Sequence, residues 1–189
     1  MDRYRVTEPR PEQVATAQQA VSSAISGDTD PTAVVDAVGK RTDDPVTDGG
    51  VGTLTAVFAI RRAVFVGEQG VDPELEWDDT ETAATHLLGA ADGRAVGTAR
   101  VRFVDDETAK AERLAVRRSD RHQGYGRRLM RAVETYATDS GATRCRVHAQ
   151  RRVAEFYRSL GYRPIGDEFE EAGIPHVAMV IDLPTEQNE

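Results

Sequence analysis

One short run in the middle of the chain has the residue types and spacing of a pyrophosphate site. Leu114-Ala115-Val116 reads as an apolar strand, and after a short loop Arg121-His122-Gln123-Gly124-Tyr125-Gly126-Arg127 opens a helix. Glycines at 124 and 126 let backbone approach a ligand closely, and the amides of a helix's first turn are free donors aimed outward. The helix dipole and nearby arginines add positive potential at the same place. Two other phosphate-binding patterns fail by spacing. A P-loop needs Gly-Lys-Ser/Thr, and a dinucleotide fingerprint needs a third small residue where Leu129 stands. Seven arginines and one acid lie between Arg113 and Arg131, a balance of +6 in a chain of net charge −8, leaving −14 for the remainder. On charge alone a small polyanionic ligand and a solvated arginine face are both open readings. Nucleic acid fits less well, because its binding domains are usually basic overall.

Other candidates stand further along. Tyr157 falls on the apolar face of a helix, where a tyrosine is most often a core residue with a satisfied hydroxyl. Glu112 lies two residues before Leu114, so strict alternation puts both on one strand face; it is either a solvated carboxylate or a base, and Lys110 on that face is an ion-pair partner. His86, His122, His148 and His176 have no metal-ligand spacing, so no metal is expected. Cys145, the single cysteine, reads as a core residue and excludes an internal disulfide framework. The acidic run Asp72, Glu74, Glu76, Asp78, Asp79 and Glu81 reads as a solvated loop that would attract cations if it bordered a site.

The elements that must position these residues follow from periodicity. Leu54 to Phe65 has a helix-like pattern, His86 to Ala90 and Ala95 to Val104 read as strands around an Asp92-Gly93 turn, and Ala109 to Val116 as a third strand. Leu129, Met130, Val133, Tyr136 and Ala137 form one face of a helix ending at Gly141. Cys145 to Ala149 is a strand, Val153 to Leu160 a helix ending at Gly161, and Arg163 to Phe169 and His176 to Leu183 close the pattern as strands. This order predicts an α/β (α+β) fold with a mixed, mostly antiparallel sheet flanked by helices. Before Gly50 the texture differs. A short strand over Tyr4–Thr7, a helix over Glu12–Ile25 and a second over residues 31–38 predict a helical N-terminal extension over 1–50, the main domain over 51–183 and a tail over 184–189.

Composition narrows the classes. At 189 residues, 39% hydrophobic and 30% charged, the chain is long enough for one stable core and too balanced for disorder. It has no apolar run of membrane-spanning length and no signal-like start, so a cytoplasmic protein is expected. Two lysines among 24 basic residues suit a high-salt cytoplasm, although a GC-rich genome gives the same bias.

The sequence resembles the GNAT superfamily of acetyl-CoA-dependent N-acetyltransferases from Leu54 to Leu183. The resemblance rests on Arg121-x-x-Gly124-x-Gly126 and on Ala154-Glu155-Phe156-Tyr157-Arg158-Ser159-Leu160-Gly161-Tyr162. Residues 62–69 (RAVFVGEQ), His148-Ala149-Gln150 and Gly173-Ile174-Pro175-His176 are similar to the narrower ElaA/YjcF-like branch. The resemblance implies splayed central strands with the acyl-CoA between them. Pantetheine would pair with Leu114, Ala115 and Val116, the pyrophosphate would sit on the amides of Arg121, His122, Gln123, Gly124, Tyr125, Gly126 and Arg127, and Phe156 would border the coenzyme. Arg151 replaces an asparagine that binds pantetheine in many members, so that contact is not carried over. Tyr157 would protonate the departing thiolate, Glu112 would deprotonate the acceptor directly or through water, and Glu68, Gln69 and His148 would touch the acceptor. The implied activity moves an acetyl group from acetyl-CoA to a primary amine, on a small molecule or a peptide, by direct attack. Its rival is an acyl-CoA-binding module without turnover that acts through protein partners. The first fifty residues would either cover the cleft or form a homodimer; neither nucleic acid nor membrane is an expected partner.

Overall fold

The structure is a computed structural model in which residues 5–7 and 51–184 are described. An eight-stranded sheet has the order β1-β2-β3-β4-β5-β8-β6, with β7 also paired to β8. The strands are β1 (Arg5–Thr7), β2 (Thr85–Ala91), β3 (Arg94–Phe103), β4 (Thr108–Val116), β5 (Arg144–Gln150), β6 (Arg163–Pro164), β7 (Phe169–Glu171) and β8 (Ile174–Asp182). Every pairing is antiparallel except β4 with β5. The mixed, mostly antiparallel sheet is the architecture that the order of elements predicts. β1 is the short strand expected near Tyr4–Thr7, and it adds to the edge of β2. The two helices expected within residues 12–39 lie outside the described residues.

Two helices cover opposite faces. On one face α1 (Val51–Arg61) is buried at every residue from Thr53 to Arg61, packing Leu54, Val57, Phe58 and Ile60 against Leu88, Ala90, Ala95 and Ala115. It continues as a π-helix over Arg62–Glu68 and, after Asp72 caps it, a single turn α2 (Pro73–Glu76). On the other face α3 (Tyr125–Asp139) is amphipathic. Leu129, Met130, Val133 and Ala137 enter the main core with Ala109, Ala111, Cys145, Val147 and Met179, and the helix ends where Gly141 turns left-handed at φ 92°. α4 (Ala154–Arg158) follows β5 through a 3₁₀ turn over Arg151–Val153.

One expected element divides. Instead of a single strand over Arg163–Phe169 there are β6 and β7; the Ile165 N–H still reaches the Ala178 carbonyl at 2.8 Å, and the break follows at Gly166, at φ 70°. β7 and β8 then form a hairpin about Ala172 and Gly173, at φ 50° and 72°. Positive φ at both central residues is the twist-matched turn of a two-residue hairpin. It places Glu171 and His176 over the end of β5.

Candidate active site

β4 and β5 pair only from Thr108–Ala111 against Arg144–Val147. Beyond that, β4 runs on to Val116 along β3 and β5 to Gln150 along β8 without pairing to each other, so the strands splay. A cleft of about 870 Å³ occupies the fork, within the size range of small-molecule sites. Its walls include Leu114, Val116 and Arg121 from the β4 side, Tyr157 and His148 from the β5 side, and Glu68 and Gln69 from the π-helix.

A bulge re-aims β4 at the fork. Arg113 has φ 51°, and the register moves from Arg100 opposite Glu112 to Thr98 opposite Ala115, so Arg113 and Leu114 together oppose Ala99. The extra residue inverts the alternation. Ala109 and Ala111 lie in the α3 core, leaving Lys110 and Glu112 toward α1; after the bulge Ala115 joins the α1 cluster while Leu114 and Val116 pack toward α3. Glu112 and Leu114 therefore occupy opposite faces, contrary to strict alternation. The Arg117 N–H bonds to the Val96 carbonyl on β3, so the Val116 N–H and carbonyl face the open edge, where the carbonyl accepts Nε of Arg121 at 3.1 Å.

The glycine loop stands at the open end of β4. Gly124 precedes α3 in a left-handed conformation at φ 83°, where a Cβ would meet nothing within 4 Å, so conformation rather than crowding demands glycine. At Gly126 a Cβ would lie 3.4 Å from Phe156 Cζ, so the missing side chain lets the half-buried Phe156 ring close on the helix start. The first turn's bond to Gly124 comes from the Arg128 N–H at 3.1 Å, and no side chain caps the helix. The N–H groups of Gly126 and Arg127, in the first turn ahead of that bond, point out of the helix start and suit a pyrophosphate. His122 and Gln123 are exposed beside them. The Tyr125 ring is buried with Ala91 and Val96, so only its backbone faces a ligand.

Several arginines already have protein partners. Arg113 is paired with Glu76 and Asp78, Arg117 lies against Asp120 and the Ala95 carbonyl, Arg121 binds Glu68 at 2.8 Å, and Arg127 donates to Ser159. Arg118 and Arg131 are exposed, and Arg128, also exposed, lies over the Tyr125 ring at 5.8 Å. The local positive charge is therefore smaller than +6 suggests.

The acidic run is solvated only in part: Asp72, Glu74 and Asp79 are exposed, but the other three acids turn inward. Glu76 and Glu81 are each 2% exposed and fold back onto Arg61, itself completely buried, while Arg100 joins Asp78, Glu81 and Glu112. Burying an unpaired charge is costly, so these side chains satisfy one another. His86 contacts the Glu81 carbonyl at 2.9 Å, and burial lowers its pKa, so the ring is neutral.

Glu112 is the inner end of this network. It accepts from Arg100 at 2.7 Å and Arg102 at 3.1 Å and pairs with Lys110 at 2.8 Å. Burial acts to raise its pKa, but the three cations prevail and hold it at about 2. So clamped, the carboxylate is a poor proton acceptor near neutrality. Glu68 is held by Arg121, and Gln69 accepts from Gln150 at 2.9 Å, a bond that ties the π-helix to β5. Cys145 is buried, and burial raises its thiol pKa to about 11.

Two further side chains face the cleft. Tyr157 is 7% exposed, edge-on to both Phe156 and Tyr162, and among the described residues its hydroxyl has no hydrogen-bond partner. Burial keeps this phenol protonated well above its usual range. On the opposite wall from Glu112, His148 Nδ1 lies 2.7 Å from Glu171 Oε2. Glu171 escapes a sequence reading because its partner is 23 residues away, and nothing beside either residue announces that contact.

A family model described as an acetyltransferase (GNAT) domain matches residues 58–183. This chain belongs to the GNAT acetyltransferase family. YjcF of Bacillus subtilis is 38% identical over 130 residues, covering 68% of this chain and 92% of its own. ElaA of Escherichia coli is 32% identical over 137 residues, 70% of this chain and 90% of its own. The crystal structure of Escherichia coli ElaA has a TM-score of 0.65, covering 95% of this chain and 99% of the other at 22% identity. A GNAT acetyltransferase of Elizabethkingia anophelis with acetyl-CoA bound shares the fold at a TM-score of 0.52 and 18% identity, covering 59% of this chain and 84% of its own. The chain is thus an acyl-CoA-dependent acyltransferase of the ElaA/YjcF-like branch. Among the described residues no helix is long and apolar enough to cross a membrane.

Proposed function

We propose that the protein transfers an acetyl group from acetyl-CoA to a primary amine by direct attack. The observation that carries this reading is the fork itself, with an uncapped glycine-led helix at its open end and a buried tyrosine hydroxyl on its wall. The pyrophosphate would rest on the amides from Arg121 to Arg127, with exposed His122, Gln123 and Arg118 around it. Pantetheine would run along the open edge of Leu114, Ala115 and Val116, and Phe156 would cover its side. The Val116 N–H would stabilise the developing oxyanion.

Tyr157 would act as the acid for the leaving thiolate. The geometry needs no covalent enzyme intermediate, and Cys145, buried with its thiol pKa raised, is unsuited to form one. Glu68, Gln69 and His148 line the acceptor side and would contact the amine. The main domain would span 51–183, with residues 1–50 and 184–189 as extension and tail.

Thiol release from acetyl-CoA, measured with 1,4-diaminobutane, a lysine-containing peptide and free amino acids, tests the reading. At least one amine should give release, and Tyr157→Phe should lower that turnover by about 10²–10⁴-fold, as loss of a general acid does. Coenzyme A should raise the melting temperature of both proteins alike. Binding without release for every amine would make this an acyl-CoA-binding module instead.

A further inference from the structure

Direct attack requires a neutral amine, and Glu112 is clamped by three cations. The proton must therefore go to another group at the acceptor side of the fork. His148 stands on the wall facing Glu112 and projects from the same face of the sheet: Cys145, Val147 and Ala149 of β5 point into the α3 core, which turns His148 and Gln150 toward α1. His148 lines the cleft with Tyr157, and its ring stands edge-on to Phe169 at 4.8 Å. Phe169 in turn stacks on His176, whose Nδ1 is fixed against the Ile174 carbonyl at 2.7 Å. The imidazole plane is thus set by the β7–β8 hairpin.

Its tautomer is set as well. Glu171 is held ionised by His148 and Lys110, so its carboxylate only accepts hydrogen bonds. At 2.7 Å from Nδ1 it requires the hydrogen to sit on Nδ1. In a neutral ring the lone pair is then on Nε2. Burial and the charges of Lys110 and Arg146 lower the pKa of this histidine, against the raising effect of Glu171, so the ring is neutral at pH 7. The charged or titratable groups facing it are Glu171 of β7, Lys110 of β4 and Arg146 of β5; His176 of β8 acts on Glu171.

We propose that His148, oriented by Glu171, is the general base that takes the proton from the acceptor ammonium. The assignment rests on the transferase reading above. The ammonium gives one proton to Nε2, forming an imidazolium beside Glu171. The freed lone pair forms the C–N bond at the thioester carbonyl, and collapse of the tetrahedral adduct breaks the C–S bond. The thiolate takes the Tyr157 proton, the second proton on the new amide nitrogen restores Tyr157, and the imidazolium returns its proton to solvent. Glu171 is a positioning residue, and Glu112 serves indirectly by holding Lys110 away from the ammonium.

The test uses kcat/KM against pH with acetyl-CoA and whichever of 1,4-diaminobutane or the lysine peptide the wild type turns over, together with NMR titration of the histidine rings. His148→Gln should lower kcat/KM at pH 7 by about 10²–10⁴-fold, remove the rising limb in the imidazole range, and leave the coenzyme A thermal shift intact. His148→Ala should regain activity with added imidazole, which a purely structural role would not allow. Glu171→Gln, at an exposed carboxylate, should lose less activity and move the His148 titration further down, because the charge that favours the imidazolium is gone. A wild-type limb retained in His148→Gln, or no imidazole rescue of a folded His148→Ala, would overturn the assignment while leaving the transferase intact. No turnover by the wild type, with coenzyme A still bound, would overturn the transferase reading and this assignment together.

Discussion

The two walls of the fork carry the same chemical types in opposite states. On the β4 wall, Glu112 is surrounded by Arg100, Arg102 and Lys110 and tied through Arg100 to Glu81 and Arg61. On the β5 wall, Glu171 has one close ion-pair partner among the described residues, a histidine, and is about half exposed. A carboxylate saturated with cations fixes structure; one paired with a single neutral imidazole tunes a group that can still change its proton. The residue type alone does not separate them. The count of opposite charges around each does.

The β4 wall depends most on Arg61. This completely buried guanidinium holds Glu76 and Glu81 together beneath α1 and supports the whole β4 wall. Arg61→Met keeps much of the side-chain volume and leaves two buried carboxylates short of a partner. The expected loss is about 3–5 kcal/mol, the usual consequence of removing one member of a buried ion pair. Urea unfolding measures it directly, and an unchanged midpoint would show that the network does not support this wall.

That network also marks where the sequence stops being readable. The strand–loop–helix run from Leu114 to Arg127 is local, so its strand, its positive-φ glycine and its amphipathic helix are each visible in consecutive residues. The ion network draws on Arg61, Glu76, Asp78, Glu81, Arg100 and Glu112, separated by up to 51 positions. Read along the chain, its acids look like a solvated run. Only the fold shows that two buried arginines meet them. The bulge at Arg113 is hidden for a different reason: arginine has no preference for positive φ, and nothing nearby announces the inversion. The motifs that carry the family resemblance single out Tyr157 and His148 but give no partner for either.

Glu112, at the centre of the β4 wall, carries a smaller effect. Glu112→Gln removes the charge that three cations share. Its folded pKa of about 2 lies below the ordinary 4.5, so its contribution to stability is fully present above 4.5 and is lost as pH falls toward 2. The variant should cost about 2 kcal/mol at pH 7, with partial exposure and mutual coupling discounted. The difference from wild type should shrink across that acid window in denaturant titrations. Activity gives the second reading: the rising limb of kcat/KM in the imidazole range should persist. Its disappearance in a folded Glu112→Gln protein would return the base to the β4 wall.

The smallest effect concerns Glu68, which stands between the walls. Its carboxylate binds Arg121 at 2.8 Å with both side chains partly exposed. Arg121 also donates to the Val116 carbonyl, so the pair joins the π-helix, the open edge of β4 and the start of the glycine loop. An exposed pair of this kind contributes only about 0.2–1 kcal/mol, and screening lowers it further in salt. Glu68→Gln should therefore melt close to wild type. Its kinetic signature depends on which partner matters during turnover. If the carboxylate chiefly holds Arg121 beside the phosphates, KM for acetyl-CoA should shift by a few-fold and KM for the amine should stay constant. If it receives the ammonium, as the family resemblance implies, the amine KM should rise instead, and the rise should fade at high ionic strength. Separate initial-rate series in each substrate decide between the two, because the same substitution leaves the Gln69–Gln150 bond and the His148–Glu171 pair untouched.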